Sequence, residues 1–151
     1  MTGLIQRVSR AEVWVNEKCI SCIKKGILLL VGIATDDGPE DVAYLVNKTV
    51  HLRIFSDKKG NLNKSLLDVN GEILVVSQFT LLGDTRKGRR PSFTYAAPTE
   101  EAEIIYRSLI EKLKVFQIIV KEGVYGEMME VKLTNNGPVT LIINSKEKTW
   151  K

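Results

Sequence analysis

Apolar and polar positions alternate through the first third of the chain. "GLIQRVS" (3–9) reads as strand-like sequence, and in "AEVWV" (11–15) Ala11, Val13 and Val15 lie on one face, the period of half-buried strands. After the turn-like "NEK" (16–18), "CISCIKKG" (19–26) reads as a further strand. "ILLLVGIA" (27–34) is unbroken apolar sequence and predicts a buried strand. The period then lengthens. In "DDGPEDVAYLVNKTV" (36–50), Val42, Leu45, Val46 and Thr49 form one stripe, Pro39 suits a first helical position, and Glu40 and Asp41 suit the positive end of a helix dipole. "TEEAEIIYRSLIEKLK" (99–114) predicts a second helix, capped by Thr99, with Ala102, Ile105, Tyr106, Leu109 and Leu113 along its stripe.

Between the helices, "EILVVSQFTL" (72–81) predicts a strand whose apolar first part gives way to Ser77, Gln78 and Thr80. Three more strands are expected at the end, "FQIIV" (116–120), "MEVKL" (129–133) and "VTLII" (139–143). "NNGPVT" (135–140) reads as the turn joining the last two, because Asn and Gly tolerate positive φ and Pro is accepted at the mouth of a strand. With strands outnumbering helices about three to one in mixed order, two β layers with helices on one side are expected.

Composition narrows the class. At 151 residues, 44% hydrophobic and 26% charged, the chain predicts a single domain over residues 1–151 with a substantial core. The longest apolar run has eight residues, against the roughly 20 needed to span a bilayer. No basic start with an apolar core marks a signal peptide, so a cytoplasmic location without membrane association is expected.

Cys19 and Cys22 have C-x-x-C spacing but lie in strand-like sequence with no second pair, which predicts structural thiols rather than a redox or zinc centre. Neither a metal nor a cofactor is expected. The net charge is +4, and "DTRKGRRPSF" (84–93) concentrates the excess: Arg86, Lys87, Arg89 and Arg90 stand against Asp84 alone. Gly88 and Pro91 suggest a shaped loop, and such a patch suits phosphate contacts.

Side chains for conventional nucleophilic catalysis are scarce. His51 is the only histidine, at the end of the first helix pattern, and no nucleophile elbow, phosphate-binding loop or dinucleotide fingerprint is present. Oriented backbone groups, hydroxyls and the substrate's own functional groups remain. "SQFT" (77–80) is the best internal candidate: Ser77 and Thr80 offer hydroxyls, Gln78 an amide and Phe79 a stacking face, next to the basic loop. That neighbourhood suits a nucleic-acid end better than a small metabolite.

Taken together, "QRVSRA" (6–11), "LRIFSD" (52–57), "SLLDV" (65–69), "SQFTL" (77–81), "DTRKGRRPSF" (84–93) and "NNGPVT" (135–140) closely resemble the D-aminoacyl-tRNA deacylase family, from about residue 4 to residue 145. The resemblance implies a mixed α/β fold of three layers, α/β/β, with two β-sheets forming a barrel-like core, two main helices on one side and element order ββ(βα)2βββ. It further implies a homodimer with active sites at the interface, acting on the acceptor end of tRNA and not on DNA, without a cofactor. The activity implied is hydrolysis of the ester of D-aminoacyl-tRNA, extending to glycine mischarged on an alanine tRNA. A non-catalytic tRNA- or RNA-binding module is the alternative.

By the same resemblance, Ser77, Gln78, Phe79 and Thr80 form the catalytic pocket. Gly137 and Pro138 form a cis peptide inserted into the partner's site, Arg7, Val139 and Thr140 support it, and Lys87, Arg89 and Arg90 contact tRNA. Three positions depart from the commonest family wording: Asn136 where Asp is frequent, Tyr125 where Phe is frequent, and Leu82-Gly83 where Tyr-Ala often follows "SQFTL".

Overall fold

Two long antiparallel strands form the spine of the protein. In this computed structural model, which describes residues 1–147, they are β1 (Thr2–Val15) and β8 (Glu130–Asn144). Between them the chain runs through β2 (Lys18–Ile23), β3 (Gly26–Gly32), α1 (Pro39–His51), β4 (Phe55–Ser56), β5 (Leu62–Lys64) and β6 (Glu72–Ser77). A 3₁₀ turn (Phe79–Leu82), α2 (Thr99–Lys114) and β7 (Val120–Glu122) complete it.

The two N-terminal strands expected from the alternation are one strand, β1, which changes neighbour midway. Thr2 to Val8 pair with β3, and Ala11 to Val15 pair with β2, while β8 follows the other edge along both halves. β3, β6 and β7 are parallel neighbours, linked by crossovers containing α1 and α2.

The six-stranded sheet curls back over itself. Leu28, Leu74 and Val76, from one face of β3 and β6, share a core with Val8, Ala11, Val13 and Ile23. The Ser21 hydroxyl donates to the Glu122 carbonyl at 2.6 Å, tying β2 to β7 and nearly closing a barrel. The opposite face, with Ile27, Leu29, Ile73 and Val75, packs on Val42, Leu45 and Val46 of α1 and Tyr106, Leu109 and Leu113 of α2. Burial on both faces explains why β3 and β6 read as continuous apolar runs. The architecture is the expected mixed α/β fold: the two β layers are halves of one sheet, and the order ββ(βα)2βββ holds when β8 is counted as two segments and the small β4/β5 hairpin as an insertion.

Local differences from the sequence expectation have identifiable causes. Thr99 is the first helical residue of α2 rather than its cap, because Pro98 already supplies an extended backbone at the N-cap. "FQIIV" contributes only Val120 to β7: Phe116 and Gln117 close a turn back onto Leu113 and Lys114 at the end of α2. "SQFTL" leaves the sheet after Ser77 and winds into the 3₁₀ turn.

"NNGPVT" is not the expected turn. Both flanking segments belong to β8 and pair with the same strand; Gln6 is opposite Thr140 and Val8 opposite Asn135, so five steps along β8 face two along β1 and the extra residues stand out as a bulge. Pro138 has no N–H for the ladder, and Gly137 has φ +111°, a conformation that glycine adopts readily. The described residues include no cis peptide bond, so Gly137–Pro138 is trans, which corrects the cis geometry implied by the family resemblance. The positive φ of Gly137 already turns the backbone out of the ladder, the reorientation for which a cis bond was expected.

Candidate functional site

Parallel strands leave a crevice beyond their carboxyl ends, and here it opens past β3 and β6, where Val31 pairs with Ser77. The Gln78 amide donates to the Val31 carbonyl at 2.7 Å, anchoring the point at which the chain enters the 3₁₀ turn. The first intrahelical bond runs from Leu81 N–H to the Gln78 carbonyl at 3.1 Å, so the Phe79 and Thr80 amides lie ahead of it and, among the described residues, are the unclaimed donors of a helical start.

A cavity of about 440 Å³ lies beside this corner, walled by Ser77 and Phe79, by Phe93 and Ala97 from the segment before α2, by Thr99, and by Tyr125 from the loop after β7. Phe79 is 58% exposed and meets the Phe93 ring nearly edge-on, with centroids 5.1 Å apart. The Tyr125 hydroxyl donates to the Thr99 carbonyl at 3.0 Å and so pins one wall to the start of α2. Behind it, buried Tyr106 donates to the Val75 carbonyl at 2.9 Å, and burial raises its phenol pKa beyond the usual tyrosine range.

Of the four residues of "SQFT", Ser77 and Phe79 line the cavity, whereas Gln78 and Thr80 do not. Thr80 is exposed, and its hydroxyl accepts a hydrogen bond from the Gln78 amide. An amide donor cannot remove a proton, so this contact does not activate Thr80 as a nucleophile.

The basic loop starts where the corner ends. Asp84 and Ser92 exchange backbone hydrogen bonds of 2.7 and 2.9 Å across its base. Arg86 clasps Asp84 through Nε at 2.9 Å and Nη2 at 2.7 Å, pulling the Asp84 carboxyl down to about 2. Gly88 takes φ +70° at the tip, where a side chain would meet open space but the backbone favours glycine. Lys87, Arg89 and Arg90 are exposed, and among the described residues none of them has an ion pair or side-chain hydrogen bond.

The Gly137–Pro138 bulge is braced from below. Arg7, 9% exposed, donates through Nε to the Asn136 carbonyl at 3.0 Å and through Nη1 to the Ile54 carbonyl. A Cβ on Gly137 would lie 2.0 Å from Arg7 Nη2, so glycine and arginine occupy one space between them. The Asn135 amide donates to the Arg7 carbonyl at 2.9 Å and the Val139 carbonyl at 3.0 Å, and the Thr140 hydroxyl bonds Asn135 Oδ1 at 3.3 Å. Gly137 and Pro138 themselves are exposed.

Within one chain the two signature stretches are not brought together. No residue of the bulge lines the cavity beside Ser77 and Phe79; the bulge borders a separate hollow of about 280 Å³ with Arg7, Lys25, Phe55 and Asn136. The cavity walls Phe93, Thr99 and Tyr125 were not singled out from the sequence as site residues; the aromatic residues beside "RRPS" and in "VYG" were the available signal.

Other candidates fall elsewhere. His51 is exposed and bonds the Asn47 carbonyl at 2.9 Å, one turn earlier in α1. Cys19 and Cys22 are exposed free thiols opposite Trp14 and Glu12, so the expectation of structural thiols gives way to surface ones. Among the described residues, no cluster of three or more His, Cys, Asp and Glu side chains could hold a metal, and no helix is long and apolar enough to cross a membrane.

Comparison with known proteins adds a family. A family model described as D-Tyr-tRNA(Tyr) deacylase matches residues 4–144. The D-aminoacyl-tRNA deacylase of Thermosipho melanesiensis is 51% identical over 148 residues, covering 97% of this chain and 99% of its own length. The solved structure of the c-Myc DNA Unwinding Element Binding Protein superposes with a TM-score of 0.90 at 40% identity, covering 95% of this chain and 98% of that one. The structure of a probable eukaryotic D-amino acid tRNA deacylase shares the fold, with a TM-score of 0.80 at 18% identity over 95% of this chain and 99% of that one.

Proposed function

As a member of the D-Tyr-tRNA(Tyr) deacylase family, the chain is a hydrolase acting on aminoacyl-tRNA, and we propose that it cleaves D-aminoacyl-tRNA in a site completed by the Gly137–Pro138 bulge of a second copy. Water adds to the ester carbonyl, the bond to the 3′-terminal ribose breaks, and the products are the D-amino acid and tRNA with its hydroxyl restored. The terminal adenosine enters the cavity of Ser77 and Phe79 and stacks on the exposed Phe79 ring. The Phe79 and Thr80 amides stabilise the oxyanion as charge develops on the carbonyl oxygen. Thr80 and Gln78 position the attacking water, the ribose 2′-hydroxyl assists it, and no acyl-threonine forms.

The observation that carries this reading is the separation within one chain of an exposed, stiffly braced bulge from the cavity with which it would have to act. A two-fold partner can bring the two together. Among the described residues β8 has a neighbour on one edge only, and it carries exposed Leu133, Leu141 and Ile142, an apolar surface suited to a second copy.

D and L substrates share every functional group, so attraction to those groups cannot separate them. Exclusion can: with the ammonium and ester carbonyl held, an L side chain is driven into the partner's Gly137–Pro138 backbone, while a D side chain points away. Arg7 already engages the Asn136 carbonyl, which leaves the Gly137 carbonyl as the bulge's acceptor for the ammonium. Arg7, Val139 and Thr140 hold the bulge in shape, and Lys87, Arg89 and Arg90 contact acceptor-stem phosphates. Glycine has no side chain to clash, so glycine mischarged on alanine tRNA is also a substrate. Deacylation of D-Tyr-tRNA, L-Tyr-tRNA and Gly-tRNA tests the reading: the first and third are hydrolysed and the second spared, whereas equal rates on D-Tyr-tRNA and L-Tyr-tRNA would refute it.

A further inference from the structure

We propose that Tyr95, flanked by Arg86, is a stacking platform for the penultimate nucleotide of the RNA 3′ end, distinct from the cavity that takes the terminal adenosine. The inference rests on the reading of that cavity given above. Tyr95 is 59% exposed, almost the same as Phe79 at 58%. A single exposed aromatic residue is ordinary; the mounting of this one is not.

Its backbone is fixed on both sides. The Tyr95 carbonyl accepts from Thr35 N–H at 3.1 Å, Ala96 N–H bonds the Phe93 carbonyl at 3.0 Å, and Ala97 N–H bonds the Ile33 carbonyl at 2.9 Å. Phe93, Ala96 and Ala97 line the cavity, whereas Tyr95 between them does not line it and is exposed to solvent. A tyrosine held this way offers a large flat surface at small entropic cost.

The second observation is the adjacent cation. Arg86 lies close enough to the Tyr95 hydroxyl for the two to interact, and its bidentate hold on Asp84 fixes it at the loop base, where Asp84 and Ser92 pair. In chain order Tyr95 lies between the loop tip bearing Lys87, Arg89 and Arg90 and the cavity-lining Ala96 and Ala97, and Arg86 holds the base of the same loop. We place the nucleotide next to the terminal adenosine on this segment, on the path from the cavity to a stem held at that tip. A ring face with a guanidinium beside it suits a nucleobase, with little preference for which one.

NMR titration of the uncharged trinucleotide CpCpA and of AMP into wild type, Tyr95→Ala and Tyr95→Phe tests the inference. Tyr95→Ala is expected to bind CpCpA roughly tenfold more weakly, Tyr95→Phe to match wild type, and AMP to bind all three alike. Unchanged CpCpA affinity in Tyr95→Ala overturns the proposal. So does an equal loss for AMP, which would assign Tyr95 to the adenosine cavity, or wild type binding CpCpA no better than AMP. Because both ligands are uncharged with amino acid, the result is read without turnover, and a failure of deacylation remains a separate outcome.

Discussion

The corner at residues 77–83 and the bulge at 135–140 both turn backbone polar groups away from the sheet, by opposite means. The corner ends a buried strand and starts a helical turn, so it presents N–H donors against an aromatic wall. The bulge interrupts a strand that continues on both sides, and its shape depends on side chains beneath it, Arg7 and Asn135. Donors suit an oxyanion and acceptors suit an ammonium, so under the proposed function the two regions would be complementary halves of one site. The difference shows what the proposal requires: with almost no acid–base side chains beside the cavity, recognition of an aminoacyl ester would be divided between two pieces of main chain.

The largest expected effect strikes the bulge. Gly137→Ala puts a methyl group where Arg7 Nη2 lies and demands φ +111° of an L residue; turnover of D-Tyr-tRNA should fall roughly a hundredfold, as when a positioned group moves by about 1 Å. Arg7→Ala leaves the Asn136 and Ile54 carbonyls without their donor, and urea unfolding should show a loss of about 2 kcal/mol together with weaker discrimination between D-Tyr-tRNA and L-Tyr-tRNA. If Arg7→Ala destabilises the chain but leaves discrimination intact, the bulge does not need its brace.

On the corner side the effects are smaller. Replacing Lys87, Arg89 and Arg90 by Ala should weaken tRNA binding about tenfold and lower the slope of log affinity against log salt by about three, one per lost phosphate contact. Thr80→Ala should keep deacylation within roughly tenfold of wild type, the lower end of what a positioned proton-transfer group contributes; a trapped acyl-Thr80 intermediate would reverse that assignment.

The mildest effect concerns the far end of β8. Burial disfavours the charged form of Asp41, yet the Ser145 hydroxyl, the Gly38 amide and Lys146 outweigh it and hold its pKa below the usual aspartate range. A carboxyl depressed in the folded state stabilises fully above its unfolded pKa of about 4, and that contribution fades as pH falls below it. Asp41→Asn should flatten the acid limb of the unfolding curve while leaving D/L discrimination unchanged.

Much of the scaffold was legible from hydrophobic period alone. The runs from Ile27 and Ile73 announced strands buried on both faces, and the stripes of Val42 and Leu45 and of Tyr106 and Leu109 announced helices packed on one of them. The bulge was not legible, because alternation on either side of "NNGPVT" is the same whether the halves pair with each other or with a common third strand; only the register with β1 decides. The peptide isomer was equally hidden, since Gly137 can redirect the backbone through φ. In the site, "SQFT" and the basic loop were visible as local chemistry, whereas Phe93, Thr99 and Tyr125 reach the cavity only through the crossover that carries α2 back to β7.

A mixing experiment tests the central claim most directly. Gly137→Ala damages the bulge, and Phe79→Glu damages the corner at an exposed side chain; each variant alone should be nearly inactive on D-Tyr-tRNA. Refolded together, half of the dimers are mixed and each contains one site with an intact corner and an intact bulge, so the account predicts about a quarter of wild-type activity. Activity no greater than the sum of the two variants would mean that corner and bulge do not meet across an interface.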